Sequence, residues 1–158
     1  MKLSVIKSLS LLLLAGLLLS ACGNRTKFET AKNWIPPLHR GEGRLFVYQP
    51  RDIFTTFSTF TFVLDGKEIA DFNSGTGFYL DLKAGEYEVS YNRGKGKMKI
   101  AVPEGEELYL KYSIVVQSTD GRNFRVDQVS KKVGEEEMGH TFLIDPEVPY
   151  IRIPRIYL

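Results

Sequence analysis

The chain contains a single cysteine, Cys22, and its reactivity gives the clearest indication of chemistry in the sequence. A cysteine thiolate is a strong nucleophile and can be modified covalently. The small residues Ser20 and Ala21 precede it, so the extended chain can enter a narrow peptidase site. One cysteine cannot form an intramolecular disulfide. If the protein is exported, its thiol is expected to have some other role than disulfide bonding within the chain.

The first 21 residues have the three parts of a secretory signal. Lys2 and Lys7 give a positive start, residues 9–19 form an apolar run, and Ala21 provides a small residue at the end. A transmembrane helix needs roughly 20 apolar residues, about twice the length of this run. We therefore predict export, with cleavage between Ala21 and Cys22.

The four residues Leu19-Ser20-Ala21-Cys22 resemble the lipobox of bacterial lipoproteins. The resemblance implies that Cys22 is lipidated and becomes the first residue of the mature chain. Each buried acyl methylene contributes about 0.8 kcal/mol, and two or more chains anchor a protein stably. By resemblance to known sorting signals, Gly23 after the cysteine implies the outer membrane, facing the periplasm. The alternative is an ordinary signal peptide followed by a chance cysteine.

Residues that could build a catalytic or metal site are few. His39 and His140 are the two histidines, about a hundred positions apart, and no Gly-x-Ser-x-Gly motif is present. The run Glu135–Glu137 is typical of a solvated acidic stretch, and Gly94–Lys97 lacks the spacing of a P-loop. We predict no enzyme, no cofactor and no metal site. A hydrolase that combines His140 with a serine and a carboxylate is a third-ranked hypothesis.

The elements that would position any site belong to one domain. The mature chain has 158 − 21 = 137 residues, enough to bury about two thirds of its unfolded surface. Loss of Lys2 and Lys7 lowers the basic residues from 21 to 19, against 19 acidic residues. Nucleic-acid binding would require a concentrated basic face, so we expect no nucleic-acid partner.

We divide the chain into a lipoprotein signal peptide at 1–21, a tether and linker at 22–42, and a β-sandwich domain at 43–158. The linker contains polar residues, Trp34, the pair Pro36-Pro37 and two glycines at its end, which are loop signals. Packing of Trp34 on the domain edge is the favoured interpretation. Insertion of Trp34 into the membrane interface is the alternative.

From residue 44 onward, turn signals such as Asp65-Gly66 separate apolar stretches. They predict strands at 44–49, 57–64, 67–72, 77–82, 86–92, 97–102, 108–117 and 124–133. Within 86–92 the alternation turns Ser90 outward. Turns at this spacing are typical of a sandwich. We predict an all-β fold, an antiparallel β-sandwich of about seven or eight strands, Ig-like or prealbumin-like. A short helical turn is expected over Val133–His140, with Glu135–Glu137 in its first turn.

Two adjoining pieces of the chain carry a resemblance, the strand Gly43–Tyr48 and the stretch from Leu64–Ala70 to Phe78–Val89. They resemble an uncharacterised family of bacterial lipoproteins with a domain of unknown function. The last part is also similar to PEGA-type and carboxypeptidase-regulatory-like β-sandwich modules. Ala84 stands where the family often has proline. The resemblance implies a β-sandwich and an envelope location, and it supplies no catalytic residues.

Two apolar features are candidate binding surfaces. Phe57 has the opposite parity to Phe60 and Phe62, which makes it a candidate exposed residue unless a bulge turns it inward; packing in the core is the favoured interpretation. The C-terminal stretch carries Ile151, Ile153 and Ile156. It either docks on the domain's own sheet or adds as a strand to a partner's sheet edge.

Together these features lead to one hypothesis and one alternative. The hypothesis is a non-catalytic module of the cell envelope, anchored by the lipid on Cys22, that binds an envelope protein or component. The alternative is a periplasmic carrier or sensor of a small apolar ligand, bound between the sheets and lined by the phenylalanines.

Overall fold

The structure is a computed structural model that describes residues 25–52, 59–91, 94, 96–117 and 121–144. It confirms the predicted all-β sandwich with a short helical turn. In chain order the elements are β1 (Arg25–Lys27), α1 (Phe28–Ala31), a 3-10 turn (Lys32–Trp34), β2 (Glu42–Tyr48), β3 (Thr59–Leu64), β4 (Lys67–Asn73), β5 (Thr76–Lys83), β6 (Gly85–Tyr91), β7 (Gly96–Val102), β8 (Glu107–Gln117), β9 (Gly121–Val129), α2 (Lys131–Met138) and β10 (Phe142–Ile144).

Two sheets form the sandwich. The larger has the order β1-β10-β5-β2-β8-β9, and the smaller has the order β4-β3-β6-β7 with antiparallel neighbours throughout. The larger sheet is mixed, because β2 runs parallel to β8 and β10 runs parallel to β5. These parallel pairs arise where the chain passes through the other sheet or a helix before it returns, so no tight hairpin can join them.

The predicted Asp65-Gly66 turn joins β3 to β4. Asp65 has φ 47° and Gly66 has φ 76°, the positive values that a two-residue hairpin turn requires. The Asp65 carboxylate also accepts a hydrogen bond of 2.8 Å from the Glu88 backbone N–H. The turn therefore fixes the hairpin and ties it to β6.

Alternating side chains from both sheets meet in the first of two hydrophobic cores. Aromatic rings dominate it: Phe72 lies edge-on to Tyr112 at 5.0 Å and to Phe78 at 5.5 Å between ring centroids. Such pairs contribute about 0.5–1.5 kcal/mol beyond burial of their area. The interior between the sheets is thus a packed aromatic and aliphatic layer.

A second core lies on the outer face of the larger sheet. Its buried members come from β2, β8, β10 and both helices, and they are Phe28, Ala31, Phe46, Tyr48, Tyr109, Met138 and Leu143. Strand β2 is consequently buried on both faces, with Leu45 and Val47 in the first core and Phe46 and Tyr48 in the second.

The N-terminal segment differs from the predicted tether. Residues 25–27 form β1, which pairs antiparallel with β10, and the Phe28 side chain is only 2% exposed. Its ring meets that of Phe46 edge-on at 5.7 Å. The polar residues around Phe28 give this segment the composition of a linker, but the Phe28 side chain packs against the sheet and holds the segment there. Residues 25–34 are therefore part of the domain.

The C-terminal helix also differs from the prediction. The strand expected at 124–133 ends at Val129, and α2 begins at Lys131 instead of Val133. Ser130 explains the boundary, because its hydroxyl accepts a hydrogen bond of 3.5 Å from the Val133 N–H and caps the helix. The run Glu135–Glu137 consequently lies in the second half of α2, not in the first turn.

Ser90 was expected to point outward into solvent, yet it is only 7% exposed. Strand β6 is an interior strand of the smaller sheet, and Ser90 lies opposite Val63 on β3 and Lys97 on β7. A small side chain between two larger neighbours is covered by them, which the alternation alone does not reveal.

Candidate functional site

A groove of about 730 Å³ opens on the outer face of the larger sheet, next to the second core. Phe28, Phe46 and Tyr109 lie beneath it and are at most 2% exposed. One wall is the 3-10 turn with the proline segment (residues 35–38), and the other is the start of α2 with the loop before β8. The groove has the volume of a ligand or peptide site, and charged side chains at its edge give it mixed character.

Arg44 forms the polar part of the groove floor, and its side chain is buried. Its Nε and one terminal nitrogen donate to the two carboxylate oxygens of Asp81 at 2.6 and 2.8 Å. The same terminal nitrogen donates to the Pro36 carbonyl at 2.7 Å, and the guanidinium lies 4.8 Å from the Tyr79 ring centroid. Arg44 therefore ties the proline segment to the sheet.

The groups around Arg44 keep its guanidinium positively charged. Burial lowers the pKa of Arg44, but the hydrogen bond and negative charge of Asp81 outweigh burial, so the pKa is raised. A buried cation is tolerated only when it is paired in this way. The pair fixes the shape of the groove.

Glu107 and Lys131 form the charged rim. Lys131 Nζ lies 2.8 Å from a Glu107 carboxylate oxygen, and the Tyr109 hydroxyl donates to the same oxygen at 3.3 Å. The hydrogen bond to Glu107 raises the pKa of Lys131, and burial raises the pKa of Tyr109. The charge pair therefore lies above the buried aromatic rings of the second core.

Helix α2 is fixed on the sheet beside the groove. Glu137 accepts a hydrogen bond of 2.6 Å from the buried Tyr48 hydroxyl and is also bonded to Lys111. Burial, followed by the bond to Glu137, raises the pKa of Tyr48. Glu137 was expected in a solvated run, but it is half-buried and joins α2 to β2 and β8.

Gly134 allows the helix to lie this close. A Cβ atom at this position would be 2.3 Å from the Tyr109 ring. That distance is far inside van der Waals contact, so only glycine fits unless the ring or the helix moves. The glycine thus sets the width of the groove between α2 and the sheet.

The Tyr112 hydroxyl lies inside the first core. Its oxygen is fully buried and has no hydrogen-bond partner among the described residues. The ring packs edge-on against Phe60, Phe62 and Phe72, and burial raises the pKa of the hydroxyl. A buried hydroxyl without a partner costs about 1–3 kcal/mol.

Both histidines are exposed, His39 before β2 and His140 after α2. No group of three or more histidine, cysteine, aspartate or glutamate side chains in residues 25–52, 59–91, 94, 96–117 and 121–144 could hold a metal ion. In that same part of the chain, no helix has the length and apolar character needed to span a membrane.

Most of the residues predicted to carry function are not among the residues that the structure describes. Ala21, Cys22 and Phe57 fall outside the described residues, as do Ile151, Ile153 and Ile156, so lipidation and binding at these positions stay predictions. Trp34 is described and is 71% exposed. The favoured interpretation, in which it packs on the domain edge, is therefore wrong.

The groove itself was missed by sequence reasoning. Two of its residues are unusual in their sequence surroundings, Arg44 at the head of an apolar strand and a lone Phe28 in a polar segment, but neither indicates a groove without knowledge of what packs against it. No family model, curated protein or solved structure matches this chain. The resemblance to a lipoprotein family of unknown function accordingly stays a prediction.

Proposed function

We propose that this chain is a lipoprotein of the outer membrane, facing the periplasm, whose β-sandwich binds an envelope protein without catalysing a reaction. The observation that carries the anchor is the single cysteine at the end of Leu19-Ser20-Ala21-Cys22, after a secretory signal. Two or three acyl chains on Cys22 would hold the domain to the membrane stably.

The groove is the surface that best supports binding. Half-buried Ile35 and Leu38 supply accessible apolar surface along one wall, while the pair Glu107–Lys131 lies at the rim. Apolar side chains bordered by charges are the usual anatomy of a protein-binding site. The hydrogen bonds of Arg44 to Pro36 and Asp81 and of Glu137 to Tyr48 hold the walls of the groove in place before a partner binds. This preorganisation lowers the entropic cost of binding.

The anchor is tested by the intact mass of protein extracted from membranes, for the wild type and for Cys22→Ala. We expect the wild type to have the mass of residues 22–158 plus acyl groups, and the variant to lack them. A wild-type mass equal to residues 22–158 alone would refute the anchor.

Binding is tested by a photo-crosslinking amino acid placed in the groove, in place of the exposed Glu106. The matched control places it at exposed Lys99 on β7, on the smaller sheet. We expect a discrete crosslinked product from position 106 that is weak or missing from position 99. Equal products from both positions, or none from either, would contradict a binding role for the groove.

The second hypothesis, a carrier or sensor of a small apolar ligand between the sheets, has less support. The described part of this interior is a packed aromatic and aliphatic layer, and the groove lies on the outer face of the larger sheet. Native mass spectrometry of protein purified from cells tests the carrier. A bound molecule in the wild type that is lost in Tyr112→Phe would favour it, and a bare protein mass would eliminate it.

A further inference from the structure

Trp34 is the most exposed of the large apolar side chains among the described residues, at 71%. It ends the 3-10 turn that follows α1, and α1 is held to the sheet by the buried side chains of Phe28 and Ala31. The indole is therefore displayed on a rigid turn and not on a loose chain. An indole has an apolar body and a polar N–H, which suits it to the boundary between lipid and water.

The chain path from Cys22 to Trp34 is short. Arg25, the first residue of β1, is three positions after Cys22, which allows a span of about 10 Å. Strand β1 adds roughly 10 Å at about 3.3 Å per residue. The helical path from Phe28 to Trp34 adds about 9 Å at 1.5 Å per residue. Trp34 is thus within about 30 Å of Cys22 along the chain, and β1 is held next to any lipid on Cys22.

Charge is also concentrated in this part of the chain. Residues 23–40 contain four basic residues, Arg25, Lys27, Lys32 and Arg40, and one acidic residue, Glu29, a net charge of 4 − 1 = +3. Residues 41–158 have 15 basic and 18 acidic side chains, a net charge of 15 − 18 = −3. Basic residues near an anionic lipid surface contribute about 1 kcal/mol each.

We propose that the N-terminal corner of the domain, residues 27–34, rests on the phospholipid headgroup layer with the Trp34 indole inserted in the interface. This inference rests on the proposed lipid anchor at Cys22. The short path brings the corner to the bilayer, and the exposed indole fits the interface. Within the corner, Lys32 is paired with Glu29 at 2.7 Å, so the attraction comes from the net charge of +3 on residues 23–40 as a whole. The domain then sits on the membrane in one orientation instead of moving at the end of a tether.

Trp34 is the only tryptophan in the chain, so its fluorescence reports on this one position. The experiment uses lipidated protein purified from membranes and reconstituted into vesicles of phosphatidylethanolamine and phosphatidylglycerol. Compared with the protein in detergent-free buffer after removal of the acyl chains, we expect emission at shorter wavelength and less quenching by acrylamide. Phospholipids brominated near the headgroup should quench the indole.

A matched variant moves the reporter to the other side of the sandwich. Trp34→Phe combined with Lys99→Trp places the only indole on β7, where the side chain at position 99 is exposed. We expect its acrylamide quenching to be the same with and without vesicles. A reduction equal to that at position 34 would overturn the inference, because it would show general adsorption or unfolding on the lipid.

The mass of the same reconstituted sample separates the two proposals. Acyl groups on Cys22 with unchanged Trp34 fluorescence would overturn the inference and leave the anchor intact. A protein without acyl groups would overturn both. Acyl groups together with lipid quenching at position 34, and none at position 99, would support the proposed orientation.

Discussion

Replacement of Phe28 by alanine tests whether the N-terminal segment is part of the domain. Phe28 is 2% exposed and meets Phe46 edge-on at 5.7 Å in the second core. Removal of a buried phenylalanine side chain costs about 3–5 kcal/mol, from lost transfer free energy and the cavity that remains. Had residues 22–42 been a tether, the same change would alter the free energy of unfolding by less than about 0.5 kcal/mol.

The assay is urea denaturation of the chain that begins at residue 22, followed by circular dichroism. With a urea dependence of about 2 kcal/mol/M, the loss corresponds to a midpoint lower by about 1.5–2.5 M. Trp34→Ala is the matched control, because its side chain lies in the same segment but is exposed. An unchanged midpoint for Phe28→Ala, with a folded wild type, would refute the second core.

Three further predictions follow from the packing of the sheet faces. Gly134→Ala should lower the free energy of unfolding by about 1–3 kcal/mol, because its Cβ meets the Tyr109 ring at 2.3 Å; Lys132→Ala on the same helix should leave the urea midpoint nearly unchanged. Tyr112→Phe should raise the free energy of unfolding by up to about 1–3 kcal/mol, because it removes a buried hydroxyl without a partner among the described residues. Tyr48→Phe should lower it, because it breaks the hydrogen bond to Glu137. Melting temperatures that change in the same direction for both variants would contradict this. Burial raises the pKa of Tyr48, Tyr109 and Tyr112 above that of the unfolded chain, so only the unfolded state loses these protons just above pH 10. Stability should therefore fall with rising pH from that point, by about 1.4 kcal/mol per pH unit for each tyrosine, and ultraviolet absorbance should show these three ionising only on unfolding.

Most of the smaller sheet could be predicted from the sequence, because β3, β4 and β7 alternate between buried and exposed residues. Alternation places Phe60, Phe62 and Leu64 of β3 together in the first core, as observed. The Asp65-Gly66 turn adds a second local signal whose geometry is the expected one. Where a local pattern and a local turn agree, the chain specifies its structure without long-range information.

The groove could not be predicted, because it depends on contacts between distant parts of the chain. Strand β2 reads as a continuous apolar run, Leu45 to Tyr48, and such a run implies that both faces are covered. What covers the second face is Phe28 on one side and Met138 on the other, and neither lies in a periodic pattern. The end of β9 at Val129 was also not predicted. It is set by one hydrogen bond, from the Val133 N–H to the Ser130 hydroxyl, that starts α2.

Strand β1 pairs with β10, so residues at opposite ends of the described fold, Arg25 and Ile144, lie side by side. They are 144 − 25 = 119 positions apart, and a contact across so long a loop forms late in folding. In a chain that emerges N-terminus first, β1 therefore has no partner strand until β10 has also emerged.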